Sequence, residues 1–167
     1  MIDAAAVGQR ILSTIEATFD AQGWDLPARR YLSAGSPNIL AVDDEHLAVA
    51  LSAMHSGVTP RSLNSTGVTS RGVKSIHVPR ADFGVRLMRC VATVDDNLQA
   101  PTTAQLNADG LKLLTDPGRL LTALFEVADT DEMMKIGAIL IVGDVQVIGP
   151  MGGLAGHTAT LTVGPVQ

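Results

Sequence analysis

Aromatic residues are scarce: Phe, Tyr and Trp make up 3% of the 167 residues. A core must therefore be built from Leu, Val, Ile and Ala, and base-stacking platforms for single-stranded nucleic acid are disfavoured. There is one cysteine, Cys90, so no internal disulfide can form. That usage fits a chain matured in a reducing compartment, where a lone Cys is by default a small buried hydrophobe. Positive charge is in deficit, with a net charge of −5, which argues against generic DNA binding through a basic face. No run approaches the roughly 18 apolar residues of a membrane span, and no N-terminal segment joins a charged start to an apolar core, so membrane insertion and export are not expected. Charged residues reach only 17%, below the usual quarter or so. With a mean hydropathy of +0.25, much of the surface must be neutral or apolar, and such surface is commonly covered by another copy.

What is present is enough for one domain of ordinary size, with 46% hydrophobic residues to build its core. Residues 3–22 read as a helix, because Val7, Ile11, Ile15 and Phe19 recur four apart, with Asp3 as N-cap and Gly23 at the C-terminal end. Residues 24–44 contain Pro27, Gly35 and Pro37 and read as an irregular connection pinned by Trp24, Leu26 and Tyr31. Two alternating runs follow. Leu47, Val49, Leu51 and Ala53 define a strand over 46–55, and Phe83, Val85 and Leu87, interleaved with Arg86, Met88 and Cys90, define a second. Thr102 and Gln105 have capping-box spacing and open a helix carrying Leu106, Leu113 and Leu114. Asp116-Pro117 then predicts a second helix, with Leu120, Leu121, Leu124 and Val127 on its apolar face; one helix kinked at Pro117 is the alternative and costs about 3 kcal/mol. The β-branched run Ile136 to Val142 predicts a covered, central strand, and Ala159, Leu161 and Val163 alternate with threonines in a last one. The expected fold is α+β: a single domain over 1–167 with a four-stranded antiparallel or mixed sheet and two to three helices packed on it.

Between the first two strands lies a 26-residue segment, 57–82, read as an extended arm or hairpin. It holds Arg61, Arg71, Lys74 and Arg80 against one acid, Asp82, and so carries +3; since the whole chain is −5, the remainder carries −8. These four bases are the candidate partner-binding residues, suited to an acidic surface that another copy could supply.

No enzyme signature emerges, and neither a cofactor nor a metal is expected. Asp43, Asp44, Glu45 and His46 invite a metal site, yet consecutive residues of an extended chain point to alternate sides, so a solvated charged turn is the expected reading. Gly149 to Gly156 lacks the Lys of a phosphate-binding loop and leads into a strand, which predicts a tight connection between two strands. His46, His55, His77 and His157 have no metal-ligand spacing. Cys90, set among apolar residues, is expected to pack in the core.

Five blocks occur in order: Arg30-Tyr-Leu-Ser-Ala-Gly-Ser-Pro37, His46-Leu-Ala-Val-Ala-Leu51, Phe83-Gly-Val-Arg-Leu-Met-Arg-Cys-Val91, Pro101-Thr-Thr-Ala-Gln-Leu106 and Gly149-Pro-Met-Gly-Gly-Leu-Ala-Gly156. This set resembles the tail terminator (head-to-tail connector) proteins of long-tailed phages that infect actinobacteria. The resemblance implies a small α+β subunit in a hexameric ring that caps the tail tube and docks the head-completion stopper. It implies that genomic DNA passes through the lumen without specific binding. It also implies a virion protein of the neck, assembled in the host cytoplasm and not an enzyme. The chain departs from the family pattern in lacking further cysteines near the first strand and in the arm, and in carrying Pro117 where the relatives' central helix tends to run through. The alternatives are another neck or tail ring protein, such as the stopper or a tube subunit, a small metal-dependent cytosolic enzyme using Asp43, Glu45 and His46, and a monomeric binding module.

Overall fold

The sequence folds into two helices laid on one face of a five-stranded sheet, in a computed structural model that describes residues 3–35, 44–58, 77–94, 98–130 and 138–165. The elements are α1 (Ala4–Gln22), β1 (Arg29–Ala34), β2 (His46–Val58), β3 (His77–Cys90), α2 (Thr103–Asp129), β4 (Ala138–Met151) and β5 (Leu154–Pro165). The sheet order is β1-β2-β3-β5-β4, with β1 parallel to β2 and every other pair antiparallel. The α+β class therefore holds, and the strand count rises from four to five.

The added strand is β1, in a segment read from sequence as irregular connection. Its burial alternates weakly, because Arg29 and Arg30 are exposed and, among the described residues, it borders one strand alone. An edge strand of six residues between Pro27 and Gly35 leaves little periodic signal.

α1 starts where the Asp3 carboxylate accepts from the backbone N–H groups of Ala5 and Ala6, each at 3.1 Å. It ends at Gly23, whose left-handed φ of 65° lets the Trp24 N–H return to the Phe19 carbonyl. The stripe Val7, Ile11, Ile15 and Phe19 is buried against Leu47, Val49, Phe83, Val85 and Leu87 of the sheet. Leu120, Ala123, Leu124 and Val127 of α2 and Ala159, Leu161 and Val163 of β5 complete this single core.

α2 begins with the expected capping box: Thr102 Oγ1 accepts the Gln105 N–H at 3.3 Å, and the Gln105 side chain accepts the Thr102 N–H at 2.8 Å. It does not break at Asp116; one helix of 27 residues runs through Pro117, correcting the expected pair of helices. The Asp116 carboxylate is drawn to a buried arginine instead of capping a new helix. Leu120, Ala123, Leu124 and Val127 beyond Pro117 are fully buried, which offsets the lost backbone bond. The first half of α2 is far more exposed: Leu106, Leu111 and Leu114 lie largely in solvent.

β4 and β5 form a hairpin closed by Gly152 and Gly153, both at positive φ (58° and 83°) as a two-residue turn of the primed type requires. Gly156 is demanded by proximity: a Cβ there would collide with the Leu87 carbonyl oxygen and lie 2.9 Å from Met88 Cα. β4 is not central. Among the described residues it lies at the sheet edge, with Val142 and Val145 packed against the core but Ile141, Val147 and Met151 exposed. Among the described residues no helix is long and apolar enough to cross a membrane.

Candidate functional site

The sheet has two unlike faces. Odd-numbered residues of β3, from Phe83 to Arg89, point toward the helices, so Arg89 enters the core side by strand parity. Arg89 is 1% exposed, and its guanidinium is met by groups from three other segments. Nε donates to Asp116 Oδ2 at 2.9 Å and one terminal nitrogen to Asp116 Oδ1 at 3.3 Å. The same terminal nitrogen donates to the Asp25 carbonyl at 2.8 Å; the other reaches the Asp25 carboxylate at 3.3 Å and Glu45 at 3.6 Å. Burial alone would lower the Arg89 pKa, but its bond to Asp116 and the charges of Asp116, Glu45 and Asp25 outweigh that and raise it. Arg119 lies 3.8 Å from Asp116 and stacks over Trp24 at 5.7 Å, and Trp24 meets Phe19 edge to face at 5.4 Å. The cluster ties α1's exit, the start of β2, the end of β3 and the middle of α2 to one point. Its inner carboxylate, Asp116, is wholly buried. That geometry suits a structural tie between elements rather than substrate chemistry.

His157 also faces this side. Burial lowers its pKa, with Asp116 opposing, and its Nδ1 is buried with no hydrogen-bond partner among the described residues. Burial thus favours the neutral imidazole.

The opposite face carries Asp82, Gly84, Arg86 and Met88 of β3 beside Thr158, Thr160 and Thr162 of β5. Asp82 is its hub, accepting the Thr162 hydroxyl at 2.8 Å and lying 3.1 Å from His55 Nε2. Arg86 lies here too, its pKa lowered by burial and raised in part by Tyr31.

The charged turn of Asp43 to His46 does not converge. Asp43 lies outside the described residues. Asp44 is exposed and offers its carbonyl to His46 Nδ1–H at 2.9 Å. Glu45 turns to Arg89 and to the Cys90 N–H at 3.2 Å, and His46 is fully buried. Among the described residues the expected solvated turn is solvated at Asp44 and in part at Glu45: Glu45 turns to Arg89 on the helix side, while His46, in register with Met88, is buried on the opposite face. No group of three or more His, Cys, Asp or Glu is placed to hold a metal among the described residues. Cys90, expected in the core, is exposed at the end of β3.

Of the four candidate bases, Arg61, Arg71 and Lys74 lie outside the described residues. Arg80 is exposed on β3, paired in register with His55. The segment 57–82 is partly strand: pairing of β2 with β3 continues to Val58 and His77, so both of its ends extend the sheet.

Sequence reasoning missed the Arg89 cluster. Its signal was parity: Arg89 shares the inward face of Phe83, Val85 and Leu87, and Asp116 sits four residues before Leu120 on the apolar stripe of α2. No protein-family model and no curated protein matches this chain.

Proposed function

We propose that this chain is a virion structural protein and not an enzyme: a tail terminator whose six copies close a ring on the phage tail tube, with the stopper docking on the opposite side and DNA passing through the lumen. The observation that carries the reading is apolar surface left uncovered by a complete core. Ile141, Val147 and Met151 of edge strand β4, and Leu106, Leu111 and Leu114 of α2, are all exposed while the core beneath them is already filled. Large apolar side chains exposed in this number point to surface that a partner covers. The uninterrupted α2 supports the reading further, since the family's central helix also runs through the position of Pro117. The net charge of −5 suits a lumen that lets DNA slide without strong attraction to phosphate.

Electron microscopy of the purified protein, alone and with tail tubes, tests the proposal. Six-fold rings seated at the head-proximal end of tubes are expected. A lone copy per virion would overturn it, as would a protein absent from the virion that turns over a substrate.

A further inference from the structure

We infer that a second copy of this chain docks on the outer face of α2, antiparallel to it and about a two-fold axis through Gly118. The contact closes on two copies, so it lies apart from the six-fold joint proposed above and belongs to the chain free of tails. α2 carries Leu111, Leu114, Gly118, Leu121 and Phe125 at alternating steps of three and four residues, the spacing of a seam between two helices. The core lies on another side of the helix, along Leu120, Ala123, Leu124 and Val127. Leu111, Leu114 and Phe125 are 65%, 82% and 56% exposed. At 3.6 residues per turn, no charged side chain falls on this seam between Leu111 and Phe125.

The order of residues along the seam selects its occupant. Leu111 and Phe125 each lie seven residues from Gly118, while Leu114 and Leu121 lie four and three residues from it. A two-fold rotation about Gly118 therefore sets Leu111 against Phe125 of the second copy, and Leu114 against its Leu121, twice over. Gly118, at the crossing, is exposed, and a Cβ built there would meet nothing within 4 Å. With no side chain at the crossing, two helices can come to the near end of their usual separation.

Charge sets the direction. Lys112 and Glu126 lie on the same edge of the seam; both are exposed, and neither forms an ion pair among the described residues. An antiparallel two-fold brings like edges together. Lys112 then faces Leu124 of the second copy, two residues and about 3 Å of helix from its Glu126, a gap that a lysine side chain spans. Asn107 faces Asp129 of the second copy, its amide placed to donate to the carboxylate; both are exposed. Arg119, beside the axis, is drawn within its own subunit to Asp116 at 3.8 Å and to the Trp24 ring. A parallel pair would set the Lys112 edge against that of Leu106, Leu113 and Pro117, where no charge answers it.

The test compares the full chain with variants by sedimentation velocity, with circular dichroism to confirm that each is folded. The wild type is expected to sediment as a dimer and Leu114→Asp as a monomer, since that side chain is 82% exposed in the subunit and its change disturbs the contact alone. Lys112→Glu and Glu126→Lys each turn two attractions into repulsions and are expected to weaken the dimer about tenfold; the double reversal restores it. Gly118→Cys in a Cys90→Ser chain should oxidise to a covalent dimer, because a residue on a two-fold axis meets its own copy. In the same background, Leu111→Cys and Phe125→Cys should cross-link when mixed and not alone. A monomeric wild type, a dimer indifferent to Leu114→Asp, or a dimer whose Gly118→Cys form does not cross-link would overturn the pairing. Tail tubes capped by six-fold rings would then leave the ring standing, whereas cross-linked dimers that never cap tubes would remove the ring alone.

Discussion

Replacing Arg89 with Met strips Asp116 of two hydrogen bonds, at 2.9 and 3.3 Å, while the carboxylate stays wholly buried. The nearest remaining base, Arg119, is 3.8 Å away. Removing one partner of a buried pair costs about 3–5 kcal/mol, a large share of the about 5–15 kcal/mol that holds a domain of this size. The reverse change is milder. In Asp116→Asn the amide oxygen still accepts from Arg89, which keeps the Asp25 carbonyl at 2.8 Å and the Asp25 and Glu45 carboxylates at 3.3 and 3.6 Å. The expected loss is about 1 kcal/mol, the difference between a charge-assisted and a neutral bond. The double change Arg89→Met with Asp116→Leu removes both charges and should lie within about 1 kcal/mol of wild type, because apolar replacement of a whole buried pair is often neutral. Urea unfolding followed by circular dichroism and by the fluorescence of Trp24, the only tryptophan, gives all three values. An Arg89→Met loss below about 1 kcal/mol, or a double mutant whose loss equals the sum of the singles, would refute the coupling.

Phe83→Asp and Leu87→Asp place a carboxylate at positions 1% and 0% exposed; each should lose at least about 4 kcal/mol and fail to give a cooperative thermal transition. Gly156→Ala drives a methyl into the Leu87 carbonyl, and a loss of about 3 kcal/mol is expected in urea unfolding, the upper range for overpacking. His157 has a pKa below its ordinary 6.5 because it is buried. The unfolded chain therefore binds this proton at higher pH than the folded one. The contribution of His157 to stability is full above about pH 6.5 and declines as pH falls toward the folded value. Urea midpoints should drop across that window in the wild type and drop less in His157→Leu; equal slopes would remove His157 as the cause.

Legibility in the sequence followed the strength of local constraint. α1 was readable to within a residue because a four-residue apolar repeat lies between a capping Asp and a left-handed glycine. The β4–β5 connection was readable because two adjacent glycines permit the turn. β1 was not, since an edge strand bearing two arginines has no clean alternation. Pro117 misled because its local preference for a helix start was overridden from outside the helix: Arg89, on a distant strand, claims the Asp116 side chain that would have capped one. Cys90 misled for a related reason. Its apolar neighbours alternate between faces, and at the end of β3 its own face is open to solvent.

β4 poses a different problem, because its residue pattern and its position disagree. A strand holding Ile139, Ile141, Val142, Val145, Val147 and Ile148 has the composition of one covered on both faces, yet among the described residues it has a strand neighbour on one side alone, and Ile141, Val147 and Met151 stand exposed. Local preference and global placement usually agree in natural sequences, and conflicts between them gather at functional sites. On the proposed ring a neighbouring copy covers this exposed apolar surface, so the residues that look misplaced in one subunit are those that the assembly would bury.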